Sequence, residues 1–461
     1  MRDFAVLLEI DYRDPVSAFA PLAGRDHAVL LDSAEHSAQG RYSYIAVDPF
    51  RVLRCTCSPW RVSVDGAPRG DDPFRVLAAE MRAFSWSPRT PVPFCGGAVG
   101  FISYELGGIL EELPTPKTTP LPFDLVVGLY DVIAAFDHQE RKAFVIASGF
   151  PAQGEDRRAR AETRAAWLKE ALGRELQPRA EYAPVLWRAE SRRNQHEARV
   201  AATIEAICAG EIYQANITQR FHAPLPRGAV PFEVYRTLRA RSPAPFGAFL
   251  NAGAGLHLLS ASPERFLACD VDGRVETRPI KGTRPRGATP AEDAANAADL
   301  RASAKDISEN LMIVDLLRND LSRVCVPGSV EAPVLCGLET FASVHHLVSV
   351  VTGRLREDAN ALDLLTAAFP GGSVTGTPKI RAMEIIHAQE PSARGPYCGA
   401  IAWLGFDGAM DSSIVIRTLV LNGGEAAAQA GGGIVADSDP AAEYEESLVK
   451  VAPLLSVLGT L

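Results

Sequence analysis

Through the first part of the chain, apolar and polar positions alternate with the two-residue period of half-buried strands. Residues 28–33 form an apolar run ending in Asp32-Ser33, and residues 41–47 alternate cleanly. Residues 96–104 and 125–130 continue the pattern, so a sheet with closely approached backbones is expected. From about 154 to 193 the composition turns to Arg, Ala and Glu. This predicts a helix near 157–172, followed by a Pro-containing stretch over 177–184. The change divides the chain into regions 1–185 and 190–461.

The second region mixes periods. A helix over 195–208 carries Val200, Ile204 and Ile207 on one stripe, with Gly210 as its stop. Residues 212–221 alternate amides and hydroxyls with apolar side chains, as a strand lining a polar pocket does. The run 256–262, the break at Pro263, a second strand and the Asp272-Gly273 turn lead to Lys281, a hairpin that brings Glu264 near Lys281. A helix over 306–321 is apolar at spacings of three and four. Glu309 shares its stripe with Met312, Ile313 and Leu316, so its carboxylate is directed inward and needs a partner. Residues 431–440 read as a glycine turn, a short strand and a helix start, with Asp439 as N-cap and Pro440 as first helical residue.

Composition narrows the class. A chain of 461 residues is too long for one ordinary core and suits two or three domains or one intimate pair. Its 47% hydrophobic and 22% charged residues are those of a folded globular protein. A net charge of -9, without a long basic run, argues against a nucleic-acid partner. The apolar run in the first nine residues is too short for a signal peptide, and no uncharged stretch is long enough to span a membrane. A cytoplasmic location is expected. The eight cysteines are scattered, and Cys55 and Cys57 lack the spacer of a zinc or redox motif, so reduced thiols are expected.

The candidate chemistry centres on Lys281. Pro279 favours an extended approach, Gly282 gives a flexible exit, and Thr283 leaves a hydroxyl facing the same space. Repulsion from Arg278, Arg284 and Arg286 would lower the lysine pKa and make it a nucleophile; the alternative is a solvated, anion-binding loop. Glu309, Glu443 and Glu446 form a hard-oxygen set suited to Mg2+. Glu443 and Glu446, three apart on one helix face, repel each other unless a cation lies between them, and are otherwise a solvated face. Backbone N–H groups around Gly432 and Gly433 could meet a substrate carboxylate. Arg417 interrupts a β-branched strand and suits a second carboxylate, or else a surface position. One of His345 and His346 should face inward, as a core histidine or an acid/base. Residues 370–379 lack the Gly-Lys-Ser/Thr ending of a phosphate loop, so no NTPase reading follows.

Taken together, segments 212–221, 262–266, 278–282, 309–321, 370–383, 414–418 and 431–446 resemble the chorismate-utilising enzyme family; 30–33 and 40–43 match it more weakly. The resemblance implies an α+β fold, a two-lobed antiparallel β-sandwich with helices packed outside. Single positions separate its branches. Anthranilate-forming members usually carry Ala at the position of Lys281, whereas members forming 4-amino-4-deoxychorismate use this lysine as a nucleophile. Members that add water use a lysine at the position of Gln214. Asn310 and Ser373 point towards the aminating branch. The implied reaction replaces the 4-hydroxyl of chorismate with an amino group, on the route to 4-aminobenzoate and folate. Mg2+ on Glu309, Glu443 and Glu446 would neutralise the ring carboxylate. Lys281 would attack C2 while Glu264 protonates the departing hydroxyl, and ammonia would then add at C4. Arg417, Gly432, Gly433, Thr283, Ser373 and His346 are the implied substrate contacts. Cys398, the one glutaminase candidate, has no matching triad, so the resemblance implies a separate glutamine amidotransferase subunit. Residues 30–33 resemble a regulatory tryptophan pocket containing Ser33. The anthranilate-forming branch stays open, as does a catalytically silent binding protein, although the joint presence of Glu264, Lys281 and three carboxylates speaks against the latter.

Overall fold

The computed structural model describes residues 4–461 except 36, 38, 174, 177, 180, 181, 342 and 343; part of the 177–184 stretch therefore lies outside the described residues. Two twelve-stranded sheets, built of antiparallel pairs, form the body of the molecule. Both draw strands from either side of the compositional divide. In the first sheet Val29–Asp32 pairs with Phe246–Gly253, and in the second Gly97–Ile102 pairs with Ala400–Gly405. The 1–185 and 190–461 regions thus share one sandwich and one central core.

That arrangement explains where simple alternation misleads. Tyr44 and Ala46 enter the core between the sheets, with Phe101, Leu258 and Trp403. Ile45 and Val47, on the opposite face of the same strand, join Phe221, Leu259 and Leu419 in a second core under the outer helices. Both faces of the first sheet are covered, so the 41–47 strand is not half-solvated. The helix Gly154–Ala171 seals part of that outer core with Ala161, Ala165 and Leu168. Truncating a side chain such as Leu168 to Ala would cost about 2–5 kcal/mol.

The chain crosses between the sheets twice at one place. Pro263 and Glu264 link Leu256–Ser262 of the first sheet to Arg265–Cys269 of the second. Residues 415–417 return from Met410–Ile414 to Thr418–Asn422. The crossings run side by side, with the Ile414 amide donating to the Glu264 carbonyl (3.1 Å) and the Ala261 amide donating to the Arg417 carbonyl (3.0 Å). Polar side chains required at a sheet junction are thereby gathered in one region. Arg417 is therefore not inside a strand; it occupies the turn, with φ of 51°.

Candidate active site

Lys281 lies in the strand Ile280–Pro285, where a register shift between Lys281 and Thr283 re-aims the side chains. Gly282 has φ of 82°, and a Cβ there would stand 2.9 Å from the side chains of Asp306 and Leu300, so only glycine suits the bulge. Lys281 is half-buried, and its Nζ donates to the Ser373 carbonyl at 3.1 Å. Burial lowers the lysine pKa, opposed by the Glu309 and Glu264 carboxylates and assisted by Lys450. The neighbouring arginines are not the cause. Arg278 pairs with Glu339, Arg284 with Asp299 at 2.6 Å, and Arg286 with Asp293 at 2.7 Å. Desolvation replaces the like-charge repulsion expected from the sequence.

Glu264 is 6% exposed. Burial pushes its carboxyl up to about 7, although the Ser373 hydroxyl, the Lys281 charge and the Ile280 amide all favour the carboxylate. An amine with a lowered pKa thus faces a carboxylic acid that titrates near neutrality, a pairing suited to nucleophilic attack with general-acid assistance. The hairpin expected from the sequence brings the two together, though Ile280–Pro285 pairs with Val344–Arg354 and not with the strand that precedes it.

The three carboxylates come from two helices. Glu309 projects from Ala304–Ser322, and burial raises its pKa. Glu443 and Glu446 stand in Pro440–Leu455, whose N-cap Asp439 accepts from the Ala442 amide at 2.9 Å, as expected. Glu443 is 5% exposed and accepts from the Ser438 hydroxyl at 2.7 Å. The Lys305 ammonium lies 3.9 Å from Glu309 and 3.7 Å from Glu443, and Lys450 lies 2.6 Å from Glu446. Among the described residues no three His, Cys, Asp or Glu side chains converge tightly enough to enclose a metal. The donor set still fits a hard divalent cation. It is all carboxylate oxygen, and an ammonium already stands between Glu309 and Glu443 as a cationic substitute.

Gly432 and Gly433 lie inside the strand Glu425–Ile434, opposite Ile217 and Asn216, and not in a turn. Their missing side chains make room. A Cβ on Gly432 would stand 2.7 Å from a Glu443 oxygen, and one on Gly433 would collide with the Gln214 amide and come within 3.6 Å of Lys281 Nζ. The side-chain Oε1 of Gln214 is buried without a hydrogen-bond partner among the described residues. Across the site the Arg417 guanidinium makes no hydrogen bond or ion pair with a described side chain, and burial lowers its pKa. Tyr397, which the sequence reading does not single out, is buried, and its charge is the one influence that opposes the lowering of the Arg417 pKa. His346 meets the Thr283 hydroxyl at 2.9 Å; burial first, then Arg417, hold its pKa down to about 4, so its ring is neutral. Thr283 itself is exposed. His345 is buried too, bonded to Asp293 at 2.9 Å, so both histidines are covered, where alternation predicts one.

Ser33 belongs elsewhere. It borders a cavity of about 180 Å³ between the sheets, lined also by Tyr42, Phe246, Trp403 and Asp411. Its hydroxyl donates to the Tyr42 carbonyl at 2.7 Å. Cys398 is fully buried with its thiol pushed up to about 12, which removes it as a nucleophile. Lys379 of the 370–379 segment pairs with buried Asp320 at 2.8 Å, a structural role.

Comparison with known proteins places the chain among relatives of known name. The chain is 41% identical over 455 residues to an aminodeoxychorismate synthase component 1 of Klebsiella aerogenes, covering 95% of each. It is 40% identical over 466 residues to an anthranilate synthase component 1 of Streptomyces coelicolor, covering 97% of this chain and 87% of that one. The crystal structure of anthranilate synthase component I from Streptococcus pneumoniae superposes with a TM-score of 0.80 at 32% identity, over 91% of this chain and 93% of that one. Residues 28–456 match the chorismate binding enzyme family, and the chain belongs to that family.

Proposed function

We propose that this chain is the synthase component that converts chorismate and ammonia to 4-amino-4-deoxychorismate, for 4-aminobenzoate and folate synthesis. The observation that carries the reading is the half-buried Lys281 amine beside the acid of Glu264. The Lys281 amine attacks C2 of the ring, both ring double bonds shift (C1=C2 to C1=C6 and C5=C6 to C4=C5), and the 4-hydroxyl leaves as water with the Glu264 proton. Ammonia then forms the C4–N bond, both double bonds shift back, the Lys281 nitrogen departs with its bonding pair, and the proton shed by the new C4 ammonium returns to Glu264. The Arg417 guanidinium, unpaired among the described residues, suits the enolpyruvyl carboxylate, and the bare backbone at Gly432 and Gly433 leaves space for the ring carboxylate. Mg2+ is the proposed cofactor on Glu309, Glu443 and Glu446, where it would neutralise the ring carboxylate. Ser373 positions Lys281 through its carbonyl and Glu264 through its hydroxyl. Neutral His346 and Thr283 border the site without a charge role.

Ammonia would come from a separate glutamine amidotransferase subunit, a reading supported by the buried, inert Cys398 and by the relative's designation as component 1. All the site residues fall in 190–461, which we take as the chorismate-binding region, with 1–185 completing both sheets. The cavity at Ser33 is the proposed tryptophan-type regulatory pocket. No helix among the described residues is long and apolar enough to cross a membrane, and a cytoplasmic location is proposed. The test is product identity with chorismate, Mg2+ and excess ammonium. The reading requires 4-amino-4-deoxychorismate by mass spectrometry; fluorescent anthranilate and pyruvate would assign the chain to the other branch.

A further inference from the structure

Arg394 has no part in the chemistry above, yet it is 2% exposed and spends its donors on the walls of the site. It lies between the helix Lys379–Gln389 and the strand Ala400–Gly405. Its Nε and Nη2 donate to both oxygens of Glu390 at 2.8 and 2.7 Å. Nη1 donates to the Val374 carbonyl at 2.9 Å and Nη2 to the Asn216 carbonyl at 2.5 Å. Each of these carbonyls borders a site group. Val374 follows Ser373, which accepts from Lys281, and Asn216 faces Gly433 across the ladder and binds the Thr375 carbonyl through its own amide at 2.8 Å. Glu390 in turn accepts from the Thr218 amide at 3.0 Å and hydroxyl at 2.9 Å, on the same strand as Asn216. The backbone of Arg394 is pinned from behind, since Glu105 accepts from the amides of Arg394 (2.6 Å) and Gly395 (2.9 Å).

A planar guanidinium can hold one carboxylate bidentately and still reach two carbonyls in fixed directions; an ammonium cannot. We infer that Arg394 is a positioning residue that locks the 372–375 turn against the strand Gln214–Pro224 and thereby aims the Lys281 amine into the site. The inference rests on the proposed role of Lys281. Displacing a reacting group by about 1 Å costs about 100-fold in rate, whereas substrate binding through Arg417 would be spared.

The test is Arg394→Lys, which keeps the charge and loses the fork. Steady-state kinetics with ammonium are joined to mass-spectrometric measurement of how fast Lys281 is labelled by an amine-reactive reagent, across a pH series without substrate. The expected result is a fall in kcat of about 10- to 100-fold, a KM for chorismate within about threefold of wild type, and a shifted labelling profile for Lys281. A folded variant with wild-type kcat and wild-type labelling overturns the inference, as does a loss confined to KM. A shifted labelling profile with unchanged kcat would keep the positioning role and sink the nucleophile. If Arg394→Lys does not fold, Thr218→Val decides. Removing one hydrogen bond to Glu390 should lower kcat about threefold and move the labelling profile the same way, and no change in either overturns the inference.

Discussion

Replacing Glu264 with Gln should separate the wild type and variant in a manner set by one number. The Glu264 carboxyl is raised from an ordinary 4.5 to about 7, chiefly by burial. At about 1.4 kcal/mol per pH unit, ionising it in the folded state is about 3 kcal/mol less favourable than in the unfolded chain. The sign follows from proton counts. Between pH 4.5 and about 7 the folded protein holds a proton that the unfolded chain has lost, so wild-type stability falls as pH rises through that window and is flat above it. Glu264→Gln keeps the shape without the titration. Its stability relative to wild type should therefore rise by about 3 kcal/mol from about pH 4.5 to 7 and stay constant beyond. Denaturant unfolding of both proteins at several pH values measures the gap. Activity gives an independent reading, since wild-type kcat should decline above about pH 7 as the acid is lost. The variant should lose about 10²- to 10⁴-fold at all pH. A gap that does not change with pH would show Glu264 ionised throughout, and would refute its role as the proton donor.

Three further outcomes follow from the site. Arg417→Met should raise the KM for chorismate about 10- to 100-fold with a smaller effect on kcat, because a charge-assisted contact is lost; an unchanged KM excludes Arg417 from carboxylate binding. His346→Gln should leave the pH dependence of kcat between about pH 5 and 8 unaltered, because the ring, with its pKa held near 4, is neutral there; loss of a limb in that range would contradict the assignment. Glu443→Gln should raise the Mg2+ concentration needed for half-maximal activity and reduce the Mg2+-induced rise in Tm measured without substrate, by the mass-action effect of weaker binding; equal Mg2+ dependence would remove Glu443 from the metal set.

Much of the site was legible because its elements obey local rules. Asp439-Pro440 starts a helix as its capping chemistry requires, and Glu309 on an apolar stripe is indeed drawn inward. Glu264 and Lys281 are neighbours because a short hairpin leaves little choice. The misreadings share a cause, which is that burial from a second layer is invisible along one strand. Residues 41–47 and both His345 and His346 are covered on two faces, so alternation no longer reports solvent. Gly432 and Gly433 look like a turn in isolation, and their need for bare backbone arises from Gln214 and Glu443, distant in sequence. Arg417 looked like a strand residue because the crossing between sheets carries no local signal. Arg394 carries no local signal, since its partners Val374, Asn216 and Glu390 meet only in the folded chain.

The most direct test is intact-protein mass spectrometry after mixing the wild type with chorismate and Mg2+ without ammonia, beside Lys281→Ala. The account predicts a wild-type species heavier by one chorismate less one water, mapping to Lys281 and discharged by ammonium to 4-amino-4-deoxychorismate, with no such species in the variant. A wild type that never carries the adduct, or a Lys281→Ala protein that aminates chorismate at the wild-type rate, would contradict it.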